Sequence, residues 1–299
     1  MKNKPSVTIG IPAYNEEKNI LHLVNELRRQ NHEGYVLERI IVVSDASTDR
    51  TDELVRKKSN ELLLIRNEKR LGQSASQNKL AELADTDILL LLNADISIRD
   101  NNFISKIINP IIKNPQVGIV GAGMTSLEGE TVVEKIIKSS HDFKSKLYVK
   151  INNADTVYLC CGRARAISKK LYKKIIWPND CPEDSYSYFF CITNGMKFVY
   201  EEKANIFFRS PANVEDFVKQ GKRFEGGKAK LRKHFDEQII AEKYSIPKAT
   251  LIQELIKYIA VDFMLAIGFL FFSVYVRVLP KNGINYSTWD ISASSKKIV

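Results

Sequence analysis

Ile88-Leu89-Leu90-Leu91-Leu92-Asn93-Ala94-Asp95 is the stretch that decides how this chain folds. Five branched apolar side chains in a row cannot be sorted into a wet and a dry face. The run therefore predicts a strand buried on both sides, as in a parallel sheet covered by helices. It stops abruptly at two oxygen-bearing side chains. Strand alternation puts Asn93 and Asp95 on the same side of the extended chain, where both can reach one object beyond the strand tip. A divalent cation bridging two phosphate oxygens favours such hard ligands, although a surface turn reads the same when the triplet stands alone.

Working outward, short β-branched runs at residues 7–11, 39–43, 62–65 and 117–120 alternate with amphipathic stretches. In residues 16–30, Ile20, Leu23, Val24 and Leu27 fall at helical spacing, and residues 74–83 and 103–112 read similarly. Four consecutive βα repeats predict a doubly wound, mostly parallel α/β sheet whose ligand site lies outside the carboxyl ends of the strands. The polar motifs fall at those ends. After the first strand, Pro12 ends the extended run and Asn15 is expected to cap the next helix. After the second, residues 44–51 form another capping cluster, with Asp45 at the strand tip where a carboxylate can accept a nucleobase N–H.

The chain has 299 residues, 44% of them hydrophobic and 27% charged, enough for one large or two ordinary domains and unlike a disordered or collagen-like polymer. With 45 Lys and Arg against 35 Asp and Glu the net charge is +10, which points to anionic partners: phosphorylated ligands, an acidic membrane surface or nucleic acid. Nucleic acid is the poorest fit, because the basic runs lack interleaved aromatics. Four cysteines without a C-x-x-C pair suggest a reduced, cytosolic compartment. The apolar run from Val7 is broken by Pro12 and is no signal peptide.

The middle of the chain is less regular, with strand-like residues 157–161 and 198–200. Residues 163–174 hold six Lys or Arg and no acid, and residues 219–233 hold seven against the single Glu225; both read first as solvated helix faces. Residues 258–276 carry one formal charge, Asp262, over a length that could span a bilayer core of roughly 30 Å. Lys and Arg flank both ends, so the positive-inside rule gives no orientation, and a helix lying on the surface fits as well as a spanning one.

Taken together, Pro12-Ala13-Tyr14-Asn15-Glu16-Glu17, Ser44-Asp45-Ala46-Ser47-Thr48-Asp49, Arg70-Leu71-Gly72 through Asn78, and Asn93-Ala94-Asp95 resemble the family 2 glycosyltransferases, inverting nucleotide-sugar transferases with a GT-A fold. The resemblance covers residues 5–235 and is firmest over the first 125. It implies that Pro12, Ala13, Tyr14 and Glu16 line the donor pocket with Asn93, that Asp45 binds the base, and that the segment at Arg70 and Gly72 closes over it. Asp95 matches the last Asp of the family's D-x-D and would be the direct ligand of Mg²⁺ or Mn²⁺. Two positions depart from the pattern: Ser44 replaces the commoner first Asp of the second motif, and Asn93 replaces the first Asp of D-x-D, keeping an oxygen but losing a charge.

Pro182-Glu183-Asp184 looks like the family's E-D acceptor motif, which makes Asp184 the general base and Glu183 its orienting or capping neighbour. Gln220-Gly221-Lys222-Arg223-Phe224 resembles the Q-x-x-R-W motif of membrane-associated members, with Phe224 in place of Trp. Helical spacing puts Gln220 and Arg223 on one face, toward diphosphate or acceptor.

The resemblance implies a metal-dependent enzyme of glycolipid or polysaccharide assembly, moving a sugar from a nucleotide-diphosphate donor, a UDP-sugar first, to a hydroxyl of a lipid-linked or glycan acceptor. Its expected place is the cell membrane, with the catalytic domain on the cytosolic side. The expected division is a donor-binding half at residues 1–125, an acceptor-binding half at 126–235 and a membrane-associated region at 236–299. A sugar-phosphate nucleotidylyltransferase shares a related sheet, but its glycine-rich loop after strand one is absent, since residues 12–17 contain no Gly. The other alternative is a catalytically silent, membrane-bound nucleotide-sugar or carbohydrate binding protein, for which Asn93 is the one positive hint.

Overall fold

Seven strands, β1 (Ser6–Ala13), β2 (Val36–Ser44), β3 (Leu62–Arg66), β4 (Ile88–Leu92), β5 (Val117–Ser126), β6 (Ala164–Ser168) and β7 (Lys197–Phe208), form one sheet in the order β3-β2-β1-β4-β6-β5-β7. The computed structural model describes residues 4–58, 60, 62–278 and 298, and gives the backbone but not the side chains of residues 222–225, 276 and 277. The pairs β1–β2, β2–β3, β1–β4 and β5–β7 are parallel, whereas β6 runs antiparallel to both β4 and β5. The sheet is mostly parallel, as expected, with one reversed strand, β6, beside the central β4.

β4 behaves as its composition requires. Ile88, Leu90 and Leu92 point into one hydrophobic layer, with Ile20, Leu23 and Leu27 of α1 (Ile20–Arg28) and Phe103, Ile104 and Ile107 of α4 (Phe103–Lys113). Leu89 and Leu91 enter the opposite layer, with Leu80 of α3 (Gln73–Leu83) and Tyr188 and Phe189 of α7 (Glu183–Thr193). Between β2 and β3 lies the short α2 (Thr51–Arg56).

Several expectations are corrected. The first helix starts at Ile20 rather than at residue 16, and Asn15 does not cap it; its side chain reaches Thr48 instead. Residues 157–161 form no strand: Val157–Leu159 is a single 3-10 turn. The basic run 163–174 is not a solvated helix face, because it supplies β6, all of it buried, followed by the one-turn α6 (Lys169–Tyr172).

The largest correction concerns the apolar stretch at residues 258–276. It is split between α10 (Lys248–Val261) and α11 (Phe263–Val278), after α8 (Val214–Leu231) and α9 (Glu237–Lys243). Asp262 breaks the helix with extended backbone (φ −151°, ψ 87°) and its Oδ1 accepts the Leu265 N–H at 3.1 Å, capping α11. Among the described residues no helix is long and apolar enough to cross a membrane. The two helices pack on α5 (Val132–Tyr148), where Phe143 stacks on Tyr258 at 4.8 Å and Lys150 pairs with Glu254 at 2.6 Å.

Candidate active site

The loops that follow β1 and β2 are zipped together. The Asp45 N–H donates to Ala13 O at 2.8 Å, the Asn15 N–H to Ser47 Oγ at 3.1 Å and the Thr48 N–H to Asn15 Oδ1 at 2.8 Å. Asn15 and Ala46 carry positive φ angles of 54° and 59°, which bend both loops toward each other. Glu16 is buried beside Thr51, whose Oγ1 accepts the Glu16 N–H at 2.7 Å. Two polar strand ends that look separate in sequence are thus one rigid cradle.

Asp45 fixes a third segment onto that cradle. Its Oδ1 accepts from the Leu71 N–H and from Asn67 Nδ2, both at 2.8 Å, and its Oδ2 accepts the Gly72 N–H at 2.7 Å. Gly72, at φ 94°, sits where other residues would be strained, and it turns the chain directly into α3. The Arg70 guanidinium lies 4.1 Å over the Tyr14 ring, so the expected donor-pocket residues Ala13, Tyr14, Glu16, Asp45, Arg70 and Gly72 do converge. Both Asp45 oxygens thus hold the segment after β3, a role its strand-end position alone does not reveal.

At the tip of β4, Asn93 Oδ1 accepts from Gln73 Nε2 at 2.9 Å, and the Asn93 N–H donates to the carbonyl of Arg163 at 2.9 Å. Asp95 differs. Its Oδ1 is buried and has no hydrogen-bond partner among the described residues. A buried carboxylate oxygen left bare costs free energy that a cation recovers, so this donor set fits a hard divalent metal.

The segment at residues 160–163 joins this tip to the E-D pair. A Cβ added at Gly162 would lie 2.9 Å from Glu183 Oε1 and 3.7 Å from Asp184 Oδ2. Asp184 Oδ1 accepts from the Ser185 N–H at 2.6 Å and from Ser185 Oγ at 3.2 Å. Glu183 is buried and opens α7, its carbonyl accepting from Ser187 Oγ at 2.6 Å. Substituting Gly162→Ala is therefore expected to displace the Glu183 carboxylate while leaving Asp184 in ordinary contact, lowering turnover by no more than about 10-fold with donor affinity retained, measured by steady-state kinetics and calorimetry.

α8 reaches the same region, since it packs so closely on Pro182 that a Cβ on Gly227 would clash with the proline ring. The Q-x-x-R stretch lies on this helix with Gln220 half-buried, while the side chains of Arg223 and Phe224 lie outside the described residues. Arg165 was not singled out by sequence. It is fully buried, with Nη2 donating to Gln77 Oε1 at 3.1 Å and Nη1 to Ser187 Oγ at 3.3 Å, beneath Glu183. Its alternation with Arg163 inside an apolar run is the signal that could have marked it. Burial pushes the Cys160 thiol up, with Arg165 opposing, and pushes Cys181 up to about 12, so neither is an ionised nucleophile near neutral pH.

A mixed sheet with zipped loops beyond β1 and β2, an acidic tip on β4 and an acidic helix start facing it defines an α/β fold of the GT-A type. A mannosyltransferase from Pyrobaculum calidifontis, solved with GDP-Man and Mn²⁺, shares this fold with a TM-score of 0.64 at 18% identity over 93% of this chain and 82% of that one. TarS of S. aureus, solved with UDP, shares it with a TM-score of 0.55 at 20% identity over 79% of this chain and 68% of that one. The model of glycosyl transferase family 2 matches residues 8–176, more than half of the sequence, and the chain belongs to that family. Among curated relatives, an uncharacterized glycosyltransferase of Methanocaldococcus jannaschii is 28% identical over 97 residues, 31% of this chain. A dolichyl-phosphate beta-glucosyltransferase of Trichomonas vaginalis is 27% identical over 146 residues, 44% of this chain. The matches span 33% and 44% of the length of these two relatives.

Proposed function

We propose that the chain is an inverting glycosyltransferase that moves a sugar from a nucleoside-diphosphate donor, a UDP-sugar first, to a hydroxyl of a lipid-linked or glycan acceptor. The observation that carries this reading is the link through residues 160–163, which hold the tip of β4 by the Arg163 carbonyl and run close enough to the acidic pair that a Cβ at Gly162 would meet Glu183 and Asp184. Donor phosphates and acceptor base then share one site. The cradle of Ala13, Tyr14, Glu16 and Asp45 takes the nucleotide, and Arg70 and Gly72 close over it. Asp95 would hold Mg²⁺ or Mn²⁺, which supplies charge neutralisation on the diphosphate. Asp184 takes the acceptor proton as the oxygen attacks the anomeric carbon opposite the leaving diphosphate, and Ser185 fixes the carboxylate that does so. Gln220, on α8, and the Arg223 and Phe224 of its motif are assigned to diphosphate or acceptor by the sequence resemblance. In this reading residues 1–125 bind donor, 126–235 acceptor, and 236–299 the membrane.

Nucleotide release screened over UDP-, GDP- and dTDP-sugars, with and without detergent-solubilised acceptors, tests this reading. One donor is expected to give acceptor-stimulated release and a product of inverted anomeric configuration by NMR. Acceptor-independent binding with no release for any donor would favour the silent binding protein.

The same proposal places the chain at the cytosolic face of the cell membrane, lying on the bilayer. α11 has 16 residues, about 24 Å at 1.5 Å per residue, short of a bilayer core of roughly 30 Å. Phe263, Met264, Ile267, Phe271 and Val274 are nevertheless exposed on it, with Ile252 and Ile256 exposed on α10. A continuous apolar face of this kind suits burial among lipid headgroups and acyl chains. Sedimentation with phosphatidylcholine vesicles should survive high salt. The double change Met264→Glu and Phe271→Glu should lower vesicle binding at least about 10-fold without changing the Tm, since both side chains are exposed.

A further inference from the structure

His141 and Lys144 stand one helical turn apart on α5, and neither enters the chemistry above. The His141 ring meets the Phe208 ring edge-on at 5.1 Å, and the Arg163 guanidinium lies 4.3 Å over that same ring. Lys144 Nζ lies 5.1 Å over the ring of Phe269 on α11. Three basic groups thus gather around two aromatic rings where α5, the end of β7, α11 and the 160–163 segment meet.

Nothing acidic answers them. Among the described residues no carboxylate lies within ion-pair distance of Lys144 or Arg163, although Lys138, on the same helix, is paired with Asp142 and Glu128. Arg163 Nε is buried with no hydrogen-bond partner. The cluster is electrically uncomfortable: burial, then the charges of Lys144 and Arg163, pull His141 down to about 3, and burial pulls Lys144 down to about 8. Sequestering basic groups without counter-charge costs free energy unless an anion supplies it.

The surroundings say which anion. Arg163 is bonded through its carbonyl to the tip of β4, and Gly162 beside it passes so near the acidic pair that a Cβ there would meet Glu183 and Asp184, so the cluster adjoins the place where an acceptor must sit. On its other side Lys144 rests on Phe269 of α11, the helix whose outer face is exposed and apolar. The loops that cradle the nucleotide lie beyond β1 and β2, on other elements.

We propose that His141, Lys144 and Arg163 form a phosphate subsite for the acceptor, which is an amphiphile whose phosphate lies on this cluster and whose apolar part runs along α11. The inference rests on the transferase reading, which calorimetry of the wild-type chain with UDP and GDP tests separately. Arg163 offers a planar donor fork and Lys144 a mobile point charge, the two usual ways of holding phosphate oxygens.

Calorimetry on the full chain in a neutral detergent, with dodecyl phosphate, dodecanol and inorganic phosphate as probes, decides the matter. Dodecyl phosphate is expected to bind, and Lys144→Met and Arg163→Gln should each weaken it about 10-fold or more, with Lys144→Arg restoring it. Lys144→Met should keep or raise the Tm of the unliganded protein, because it removes a half-buried charge that no carboxylate among the described residues pairs with; this separates lost binding from lost folding. Dodecyl phosphate binding much more tightly than inorganic phosphate assigns the site to a lipid phosphate, and equal affinities assign it to a water-soluble phosphate acceptor. The proposal falls if dodecyl phosphate binds no better than dodecanol, if the variants bind it like wild type, or if UDP displaces it with the same dependence on Lys144, which would make the cluster part of the donor site.

Discussion

Asp184→Asn lowers sugar transfer about 10²- to 10⁴-fold while leaving donor affinity unchanged, the range expected when a positioned general base is removed. The geometry makes this an informative substitution. Asp184 Oδ1 is held by the Ser185 N–H and hydroxyl, so the carboxyl group is fixed by one oxygen, and in the proposed mechanism the other takes the acceptor proton. Asparagine can keep the oxygen that Ser185 holds and its volume is the same, but its amide cannot take a proton. In the proposed arrangement the donor is bound by the loops after β1, β2 and β3 and the tip of β4, elements other than α7, so calorimetry with the nucleoside diphosphate should not distinguish variant from wild type. Single-turnover transfer should distinguish them sharply. Near-normal turnover would move the base elsewhere, first to Glu183, and Glu183→Gln would then carry the loss.

Much of this arrangement was legible because hydrophobic burial writes a strong local signal. The unbroken apolar run of β4 required cover on both faces, and its side chains do alternate between two core layers. The strand ends with Asp45 and Asp95 were visible for the same reason, as polar residues where an apolar run stops. What was not legible depends on partners distant in sequence. The run 163–174 reads as a wet basic face because nothing local says that Arg165 meets Gln77, 88 residues earlier, and Ser187, 22 residues later. Asn15 looks like a helix cap, yet its amide is better used bridging to Thr48 across the cleft. Residues 258–276 look like one span because composition measures apolarity and not backbone continuity; the break at Asp262 is set by a carboxylate that caps α11 and by packing against α5. Counter-charge is the hardest feature to read. The basic cluster at His141, Lys144 and Arg163 is spread over two segments, and only the fold reveals that among the described residues no carboxylate pairs with Lys144 or Arg163.

Asp95→Ala abolishes the metal-dependent part of donor binding, a loss of at least about 100-fold in the Mn²⁺-dependent affinity for nucleoside diphosphate, since loss of even an outer-shell partner typically costs 10- to 100-fold. At the tip of β4 the two oxygen-bearing side chains are not equivalent. Asn93 Oδ1 already accepts from Gln73, whereas Asp95 Oδ1 is buried and bare, so the charge and the uncommitted oxygen coincide on Asp95. Removing it also relieves a buried unsatisfied acceptor, so the unliganded variant should melt no lower than wild type, and loss of binding cannot then be ascribed to unfolding. Asn93→Asp acts in the opposite sense: one oxygen can keep the Gln73 bond while the second adds negative charge toward the cation, so metal affinity rises and the metal-free protein loses stability through repulsion with Asp95. Calorimetry of Mn²⁺ and Mg²⁺ with nucleoside diphosphate, run beside thermal melts with and without metal, checks both signs. If Asp95→Ala binds metal and nucleotide as the wild type does, the bare oxygen is only a packing defect and the metal must be sought on other residues.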